Sequence, residues 1–286
     1  MNPKIAVFLF FWAVFFPLPL LALHDLTSVT VNGRGPGSED FARNVVIDGN
    51  GNLYIVGTIS SLLNVGPWVS KYNSDLVLQR TATTPFPSSP YNPYSNGVAI
   101  DAIGNIYVVG SYLNGTAHDT NIWIGKYDSA LVFQSSATFA GPISPGPPSR
   151  PISYDSGKNI TVTAAGDVYV IGRIQTSSSG DTDIWIGKYN PALVLQSSAT
   201  YGGLGYHVNS GHDIAVDSVS GDVYAIGNTF GASGHKVWVA KYNSALVLQS
   251  VTTVLGSAGG EVWQRYYNQH HRRCLCHRIS CRNDRF

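Results

Sequence analysis

Cysteine and charge are both scarce in this chain. No cysteine precedes Cys274, so we expect neither a disulfide nor thiol chemistry in the body of the protein. Charged residues make up 12% of the 286 residues, against a usual share of about 25%, and the formal net charge is +1. Without an excess of Lys and Arg, we expect no surface for nucleic acid. After the first 23 residues no long segment shows helical periodicity, which argues against a helical fold.

The long apolar segment lies at residues 1–23. Lys4 provides a positive charge, and the run from Ile5 to Leu23 is apolar except for two prolines. This layout is typical of a signal peptide, and its length also suits an N-terminal membrane anchor. We therefore expect a secreted or cell-envelope protein, in contact with the membrane only through this segment if it is not cleaved.

Residues 24–264 contain four copies of one pattern. The copies lie near residues 44–83, 96–138, 158–200 and 212–253. Each copy has a Tyr, then a Trp, then a Lys-Tyr pair, in the same order. The Tyr and Trp landmarks are Tyr54, Tyr107, Tyr169 and Tyr224, followed by Trp68, Trp123, Trp185 and Trp238. The pairs begin at Lys71, Lys126, Lys188 and Lys241.

Each copy contains four short runs that are rich in Val, Ile, Tyr and Trp. In the second copy these runs are Val98–Ile100, Ile106–Ser111, Ile122–Tyr127 and Leu131–Thr138. They are apolar on both sides, whereas a strand with one face in water alternates apolar and polar residues. Four strands per repeat, each sheet with a neighbour on both faces, predict an all-β fold: a β-propeller of four-stranded blades.

The repeats resemble a known family. The runs AIDAIGNIYVVGSY, IAVDSVSGDVYAIG and WIGKYDSALVFQSSATFAG are similar to bacterial β-propeller repeats of the SBBP type and to the related delta-60 repeats. The resemblance extends over residues 40–260. It implies an exported or surface-exposed propeller and does not imply a particular activity.

Residues 265–286 depart from the repeat. They hold six of the 18 basic residues, one of the 17 acidic residues and all cysteines, which leaves 12 basic and 16 acidic residues in the rest of the chain. In another reading frame, with suitable synonymous codons, this tail can encode GITINTTGDVYVIGYLAGTTG, which is similar to the segment from Ile160 to Gly172. We interpret the tail as frameshifted. The propeller is then incomplete, with about four blades and a disrupted fifth, and one blade face is left uncovered.

A metal site in the tail is the alternative. Cys and His within a few residues can bind zinc, although the spacing here fits none of the usual paired patterns. The residues in question are His270, His271, Cys274, Cys276, His277 and Cys281. We assign no metal ligand and no cofactor.

The segment from Asp48 to Asn52 begins like a calcium loop. Leu53 and Ile59 stand where such a loop needs Gly and Glu. Similar segments begin at Asp101, Thr163 and Asp217. Because Gly and Asn or Asp are also what a tight hairpin requires, we predict turns here.

We predict that the repeated Trp packs between blades rather than forming a platform for sugars. The repeated Lys is interpreted as a solvated strand end, with Lys over an aromatic ring as the alternative. Residues outside the repeat are His207, His212, His235, Asp119, Asp181 and Asp183. No nucleophile or metalloprotease motif accompanies them, so we assign no catalytic residue.

Export, repetition and the lack of catalytic motifs predict a non-catalytic scaffold or binding module at the cell surface or outside the cell. Its partner would be a surface polymer or a protein. One alternative is a propeller enzyme that acts on carbohydrate through its central channel, which non-repeated His, Asp or Glu at the channel mouth would favour. The other is a non-functional, truncated fragment of a longer propeller protein.

Overall fold

The computed structural model describes residues 40–60, 65–83, 94–114, 119–142, 153–177, 180–202, 208–231 and 234–255. The export segment at 1–23 and the tail at 265–286 lie outside these ranges, so both interpretations stay predictions. The described strands belong to one compact unit, Val31–Phe286. Within the described ranges, no helix has the length and apolar character needed to cross a membrane.

The described residues form 17 strands, most of them in four antiparallel sheets that follow one another along the chain. The first sheet contains β1 (Asp40–Ile47), β2 (Leu53–Ser60), β3 (Val65–Tyr72) and β4 (Leu78–Thr83). The second contains β5 (Tyr94–Ile100), β6 (Ile106–Asn114), β7 (Asp119–Tyr127) and β8 (Phe133–Phe139). The third contains β10 (Ser156–Val162), β11 (Val168–Gln175), β12 (Thr182–Tyr189) and β13 (Leu195–Tyr201). The fourth contains β14 (Ser210–Val216), β15 (Val223–Gly231), β16 (Gly234–Tyr242) and β17 (Leu248–Leu255).

One sheet corresponds to one repeat, which confirms the predicted all-β fold of four-stranded units. The remaining strand, β9 (Ser153–Tyr154), was not predicted: it pairs in parallel with β7 and so ties the start of the third repeat to the second sheet. The bridge from Thr182 to Val208 makes the same kind of link between the third sheet and the start of the fourth repeat.

Leu131 does not begin a strand, contrary to our prediction. It lies in the turn before β8 with a φ of +58°, and Leu76, Leu193 and Leu246 adopt the same left-handed conformation. The turn is closed by the Asp128 carboxylate, which accepts hydrogen bonds from the backbone of Ala130 and Val132, both at 2.9 Å. The Leu131 side chain is buried against the first sheet, and this packing offsets the cost of the left-handed backbone.

The repeats pack face to face in chain order. Strand contacts join the first sheet to the second, the second to the third and the third to the fourth. Each of the three interfaces encloses its own cluster of buried apolar side chains. Among the described strands, no contact of similar extent joins the first sheet to the fourth, as expected for an incomplete propeller.

We call the first strand of each sheet its inner strand. A β-bulge interrupts the inner strand of every sheet. The register between the inner strand and its neighbour skips one residue at Arg43, Asn96, Lys158 and His212. A Gly faces each bulge, and these are Gly57, Gly110, Gly172 and Gly227. A Cβ at Gly172 would lie 2.0 Å from the carbonyl oxygen of Ser156, so this repeated Gly is required by close backbone approach.

We expect Gly172→Ala to destabilise the protein by about 1–3 kcal/mol, because the new methyl group meets backbone that cannot move away cheaply. Urea unfolding monitored by tryptophan fluorescence measures the change. Gly49→Ala is the matched control, since a Cβ there meets no atom within 4 Å. Equal unfolding midpoints for the two variants would contradict this account of the bulge.

Candidate functional site

The inner strands of three sheets meet through a line of side chains next to the bulges. The Asn44 side-chain amide donates to the Asn159 Oδ1 at 3.3 Å, and the Asn159 amide donates to Asp213 at 2.6 Å. At the equivalent position of the second sheet, a Cβ on Gly97 would lie 2.8 Å from the Asn159 Oδ1. The four bulges therefore lie in one region, although their residues are far apart in sequence.

Basic side chains gather in this region. Lys158, at the bulge of β10, interacts electrostatically with Arg43, at the bulge of β1, and with Arg173, on β11. His212, at the bulge of β14, interacts with Lys158 and Arg173. We call Arg43, Lys158, Arg173 and His212 the inner-strand cluster. The β-bulge accounts for Arg43, Lys158 and His212, because an extra residue in the strand directs its side chain away from the sheet ladder, while Arg173 lies on the neighbouring strand opposite Ser156.

Lys158 is the member of the inner-strand cluster whose charge is least favourably placed. Burial, followed by the positive charges of Arg173 and Arg43, lowers its pKa to about 8. Among the described residues, Lys158 has neither an ion pair nor a hydrogen-bond acceptor. A partly buried ammonium group without a partner is unfavourable, and a bound anion would relieve this cost.

Arg173 and His212 are held in place by neighbouring groups. The Arg173 Nε donates to the carbonyl oxygen of Tyr154 at 3.1 Å. His212 forms a hydrogen bond with the Asn228 side chain. Burial lowers the pKa of His212, and the Lys158 and Arg173 charges act in the same direction, against the hydrogen bond that His212 donates to Asn228 and the charge of Asp213.

Sequence reasoning named His212 and missed the rest of the inner-strand cluster. Arg43, Lys158 and Arg173 show no motif, and Lys158 appeared only as the first residue of the third copy. The sequence did contain a signal for these residues. A repeated Gly faces each bulge, so its position in each copy identifies the inner-strand residue at the bulge. Aligned copies show that this position carries Arg, Asn, Lys and His in turn.

The other non-repeated candidates do not join the inner-strand cluster. Asp181 accepts a hydrogen bond from the Ser177 hydroxyl at 2.6 Å, and Asp183 accepts one from the Asn209 amide at 3.4 Å. Burial raises the pKa of Asp183, although its hydrogen bonds oppose the shift. The His235 ring packs edge-on against Phe230, with ring centroids 4.8 Å apart. His207 and the side chain of Asp119 lie outside the described residues.

The repeated Trp side chains are packing residues, as predicted. All four are buried, with exposures of 0–3%. Trp185 stacks on Phe139 of the preceding sheet at a centroid distance of 4.3 Å, and Trp238 packs in a tilted arrangement against Tyr201 of the preceding sheet at 5.2 Å. These rings are inaccessible, so they do not form a platform for sugars.

The repeated Lys is not simply a solvated strand end, which corrects our interpretation. Lys71, Lys126, Lys188 and Lys241 each lie over the ring of the repeated Tyr on the neighbouring strand, at 5.2–5.7 Å from its centroid. Cross-strand pairing brings the two residues together, because Tyr54 lies opposite Lys71 in the register of β2 and β3. The alternative of Lys over an aromatic face is therefore correct.

The segments that resemble calcium loops are hairpin turns. The Asp48 carboxylate accepts hydrogen bonds from the backbone of Asn50 and Asn52, both at 2.9 Å, and from the Asn52 side chain at 2.8 Å. Burial opposes but does not outweigh these bonds, and the pKa of Asp48 is lowered. Gly51 takes a φ of +80°, as such a turn requires. The oxygens that calcium would need are thus used by the turn itself.

The described residues bring together no group of three or more His, Cys, Asp or Glu side chains that could hold a metal ion. The Cys and His residues of the tail lie outside the described ranges, and the zinc alternative there stays a prediction.

Four antiparallel four-stranded sheets, one per repeat and packed in chain order, define a β-propeller repeat protein. The family model described as SBBP, β-propeller repeat, matches residues 32–64, which confirms the SBBP-type resemblance in the first repeat. No curated protein matches the chain.

Solved structures resemble the chain at low sequence identity. A protein of unknown function from Dyadobacter fermentans is 13% identical with a TM-score of 0.51, over 78% of this chain and 71% of that one. A protein of unknown function from Bacteroides caccae is 12% identical with a TM-score of 0.46, over 74% of this chain. This chain covers 61% of that protein, less than two thirds of its length. A thermostable family-43 glycoside hydrolase is 12% identical with a TM-score of 0.45, over 81% of this chain and 76% of that one. At these identities the likeness concerns the fold alone.

We expect Lys158→Met to stabilise the folded protein at pH 7, by on the order of 1–3 kcal/mol, because it removes a charge that burial disfavours. The pKa of Lys158 is lowered from 10.5 to about 8, so the unfolded chain binds more protons between these values. In the wild type, the charged Lys158 lowers the free energy of unfolding by its full amount below pH 8, and this loss fades as the pH rises towards 10.5. The gain from Lys158→Met should fade over the same range. Urea unfolding of both proteins at about pH 7 and about pH 10 measures this change.

Lys236→Met is the control for the loss of a lysine on a strand outside the inner-strand cluster. The effect of Lys158→Met at each pH is measured against that of this control. If Lys158→Met destabilises the protein at pH 7, or if its effect does not depend on pH, Lys158 is not held in a repulsive environment.

Proposed function

We propose that this chain is an exported, non-catalytic β-propeller binding module, and that the inner-strand cluster binds an anionic group of a surface polymer. The observation that carries the proposal is Lys158, a largely buried ammonium group that is repelled by the charges of Arg43 and Arg173 and has no acceptor among the described residues. Export is supported by the apolar segment at residues 1–23.

The charge distribution supports an anionic ligand. Outside residues 265–286 the chain carries 12 basic and 16 acidic residues, so its formal net charge is negative there. Several cations in one region of such a chain create a local positive potential, which attracts and orients an anion. Asp213 is a carboxylate next to the inner-strand cluster, where it accepts a hydrogen bond from Asn159, and one carboxylate does not balance the three charges of Arg43, Lys158 and Arg173.

The kind of anion follows from the donors. Guanidinium groups suit the paired oxygens of a carboxylate or a sulfate, and Arg43 and Arg173 both act electrostatically on Lys158. Lys158 adds a flexible point charge, which adapts to either group. An acidic polysaccharide presents such groups repeatedly outside the cell, so we propose it as the ligand class.

A propeller enzyme acting on carbohydrate is the second candidate. It is favoured by one observation: His212 and Asp213 are not repeated in the other copies, and both lie on the inner strand. A glycosidase usually needs two carboxyl groups beside the scissile bond. His212 is instead accompanied by Lys158 and Arg173, which suits the binding of an anion better. The remaining alternative, a non-functional fragment, rests on the tail, which lies outside the described residues.

Binding of charged polysaccharides tests the proposal. We expect the protein to bind polygalacturonate or dextran sulfate and not uncharged dextran, as measured by affinity electrophoresis and calorimetry. Lys158→Met should weaken binding by about tenfold, because it removes one charge-assisted contact. Lys236→Met should bind as the wild type does. The two anionic probes distinguish carboxylate from sulfate, and equal binding by both variants would refute the site.

The same assay carries a pH control. Since the pKa of Lys158 is lowered to about 8, affinity should fall as the pH rises from about 7 to about 9.5. Lys158→Arg keeps its charge over this range and should lose most of the pH dependence. Binding that is unchanged at the higher pH would show that Lys158 does not contact the anion.

The absence of catalysis is tested on the polymers that bind. We expect no release of reducing ends from them over a prolonged incubation, since a glycosidase usually needs a pair of carboxyl groups, whereas the charges acting on His212 include those of Lys158 and Arg173. Reducing-sugar assays measure this. If the wild type cleaves a polymer and His212→Ala does not, the proposal of a non-catalytic binding module is wrong and the enzyme is supported.

A further inference from the structure

Lys158 differs from the repeated lysines in what holds its proton. The Lys71 and Lys126 ammonium groups donate to carbonyl oxygens of the following sheet, at 3.0 and 2.9 Å. Lys188 and Lys241 form ion pairs with aspartates of their own sheets, at 2.9 and 2.7 Å. Lys158 makes neither kind of contact with a described residue. No direct contact within the described ranges therefore favours its charged form.

The bulges bring guanidinium groups of two sheets to Lys158. Asn159, the residue after Lys158, accepts a hydrogen bond at 3.3 Å from Asn44, the residue after Arg43. This bond joins the bulge of the third sheet to that of the first. Arg173 lies on the strand beside β10, and its charge acts on Lys158 together with that of Arg43. One amine thus faces two guanidinium groups that are far apart in sequence.

This environment favours the neutral amine of Lys158. Burial and then the charges of Arg173 and Arg43 lower its pKa to about 8. At that pH about half of the Lys158 side chains are neutral, against about 0.3% for a lysine at the ordinary value of 10.5. A neutral amine is a nucleophile and an ammonium group is not, so Lys158 is activated towards electrophiles.

The surroundings of Lys158 restrict which electrophile can react with it. Lys158 is partly buried, while Arg43 beside it is exposed, so the inner-strand cluster can be reached from solvent. A cationic reagent would be repelled by the two guanidinium groups, and a bulky one would not fit a partly buried position. Carbon dioxide is small and uncharged, and its adduct with an amine is an anion, which these guanidinium groups attract.

We propose that Lys158 is a site of reversible carbamylation by carbon dioxide, and that Arg43 and Arg173 stabilise the carbamate. The Nζ lone pair attacks the carbon of carbon dioxide and forms an N–C bond. One C–O π pair moves onto oxygen, and an Nζ proton passes to solvent. The product is a planar carbamate with two oxygens, a shape that guanidinium groups recognise well.

Carbamylation reverses the charge balance of the inner-strand cluster. Before the reaction, Arg43, Lys158 and Arg173 are three positive charges next to one carboxylate, Asp213. After it, the two guanidinium charges are matched by the carbamate and Asp213, so repulsion at residue 158 becomes attraction. Carbamylation requires no polysaccharide, so it goes beyond the proposed function and can be tested without a polymer.

¹³C NMR of the full chain in ¹³C-labelled bicarbonate tests the proposal. At about pH 8 we expect a carbamate resonance in the wild type that is lost in Lys158→Arg, because a guanidinium group does not form a carbamate. Lys236→Arg is the matched control and should keep the resonance. The N-terminal amino group and the other lysines are common to the wild type and Lys158→Arg, so their signals cancel in the comparison. Circular dichroism checks that the variants fold.

Two further measurements test the role of the guanidinium groups. At a fixed pressure of carbon dioxide, the Lys158 resonance should fall more than about tenfold from about pH 8 to about pH 6.5, because the amine becomes protonated. Arg43→Gln should lower it at least about threefold at pH 8, since it removes a charge that favours both the neutral amine and the carbamate. Arg43 is exposed, so this variant should fold. Arg80→Gln is its matched control, because Arg80 is exposed on β4 and outside the inner-strand cluster.

Either of two results would overturn the proposal. Identical spectra for the wild type and Lys158→Arg would show that Lys158 forms no carbamate. A Lys158 carbamate that Arg43→Gln leaves unchanged would show that the cluster does not stabilise it. Should Lys158→Arg fail to fold, the wild type alone decides: ethylation with a trialkyloxonium salt traps a carbamate, and mass spectrometry of its peptides then finds the adduct on Lys158 or shows that this residue is unmodified.

Discussion

The structure depends on contact between sheets that are apolar on both faces. A single four-stranded sheet of this composition would expose Trp, Tyr and Ile to water on two sides, and burial of such surface is the main favourable contribution to folding. Trp185 shows how the requirement is met: it belongs to the third sheet and is buried because Phe139 of the second sheet lies against it. Each repeat is therefore stable only beside its neighbours, as in other repeat proteins.

The same constraint accounts for the polar features that recur in every repeat. Where sheets press together, backbone carbonyl groups in the turns lose water and need donors. The repeated Tyr and Lys provide them across the interface, as between Tyr54 and Ser129. Lys71 lies over the Tyr54 ring and also reaches that carbonyl, so one cation joins two strands and two sheets. The recurring Trp, Tyr and Lys residues therefore serve the packing of one sheet on the next.

Specificity can reside where the repeats differ. The bulge of the inner strand is a structural feature common to all four sheets, but its residue is Arg43, Asn96, Lys158 or His212. A scaffold of equivalent sheets thereby brings different side chains into one region, at the cost of an unfavourably placed Lys158. Sites that lower stability in this way are typical of binding regions, where a ligand supplies the missing partner.

The sequence by itself determined the repeat, the four strands of each unit and the burial of the repeated Trp, because these depend on local periodicity and on side chains that can only be stable out of water. Tertiary structure decided the rest. The Lys–Tyr contact, the left-handed Leu131 and the inner-strand cluster depend on residues from separate strands or sheets. Lys158 and Arg43 lie near each other because bulges and sheet packing bring them there, and no spacing along the chain encodes that distance.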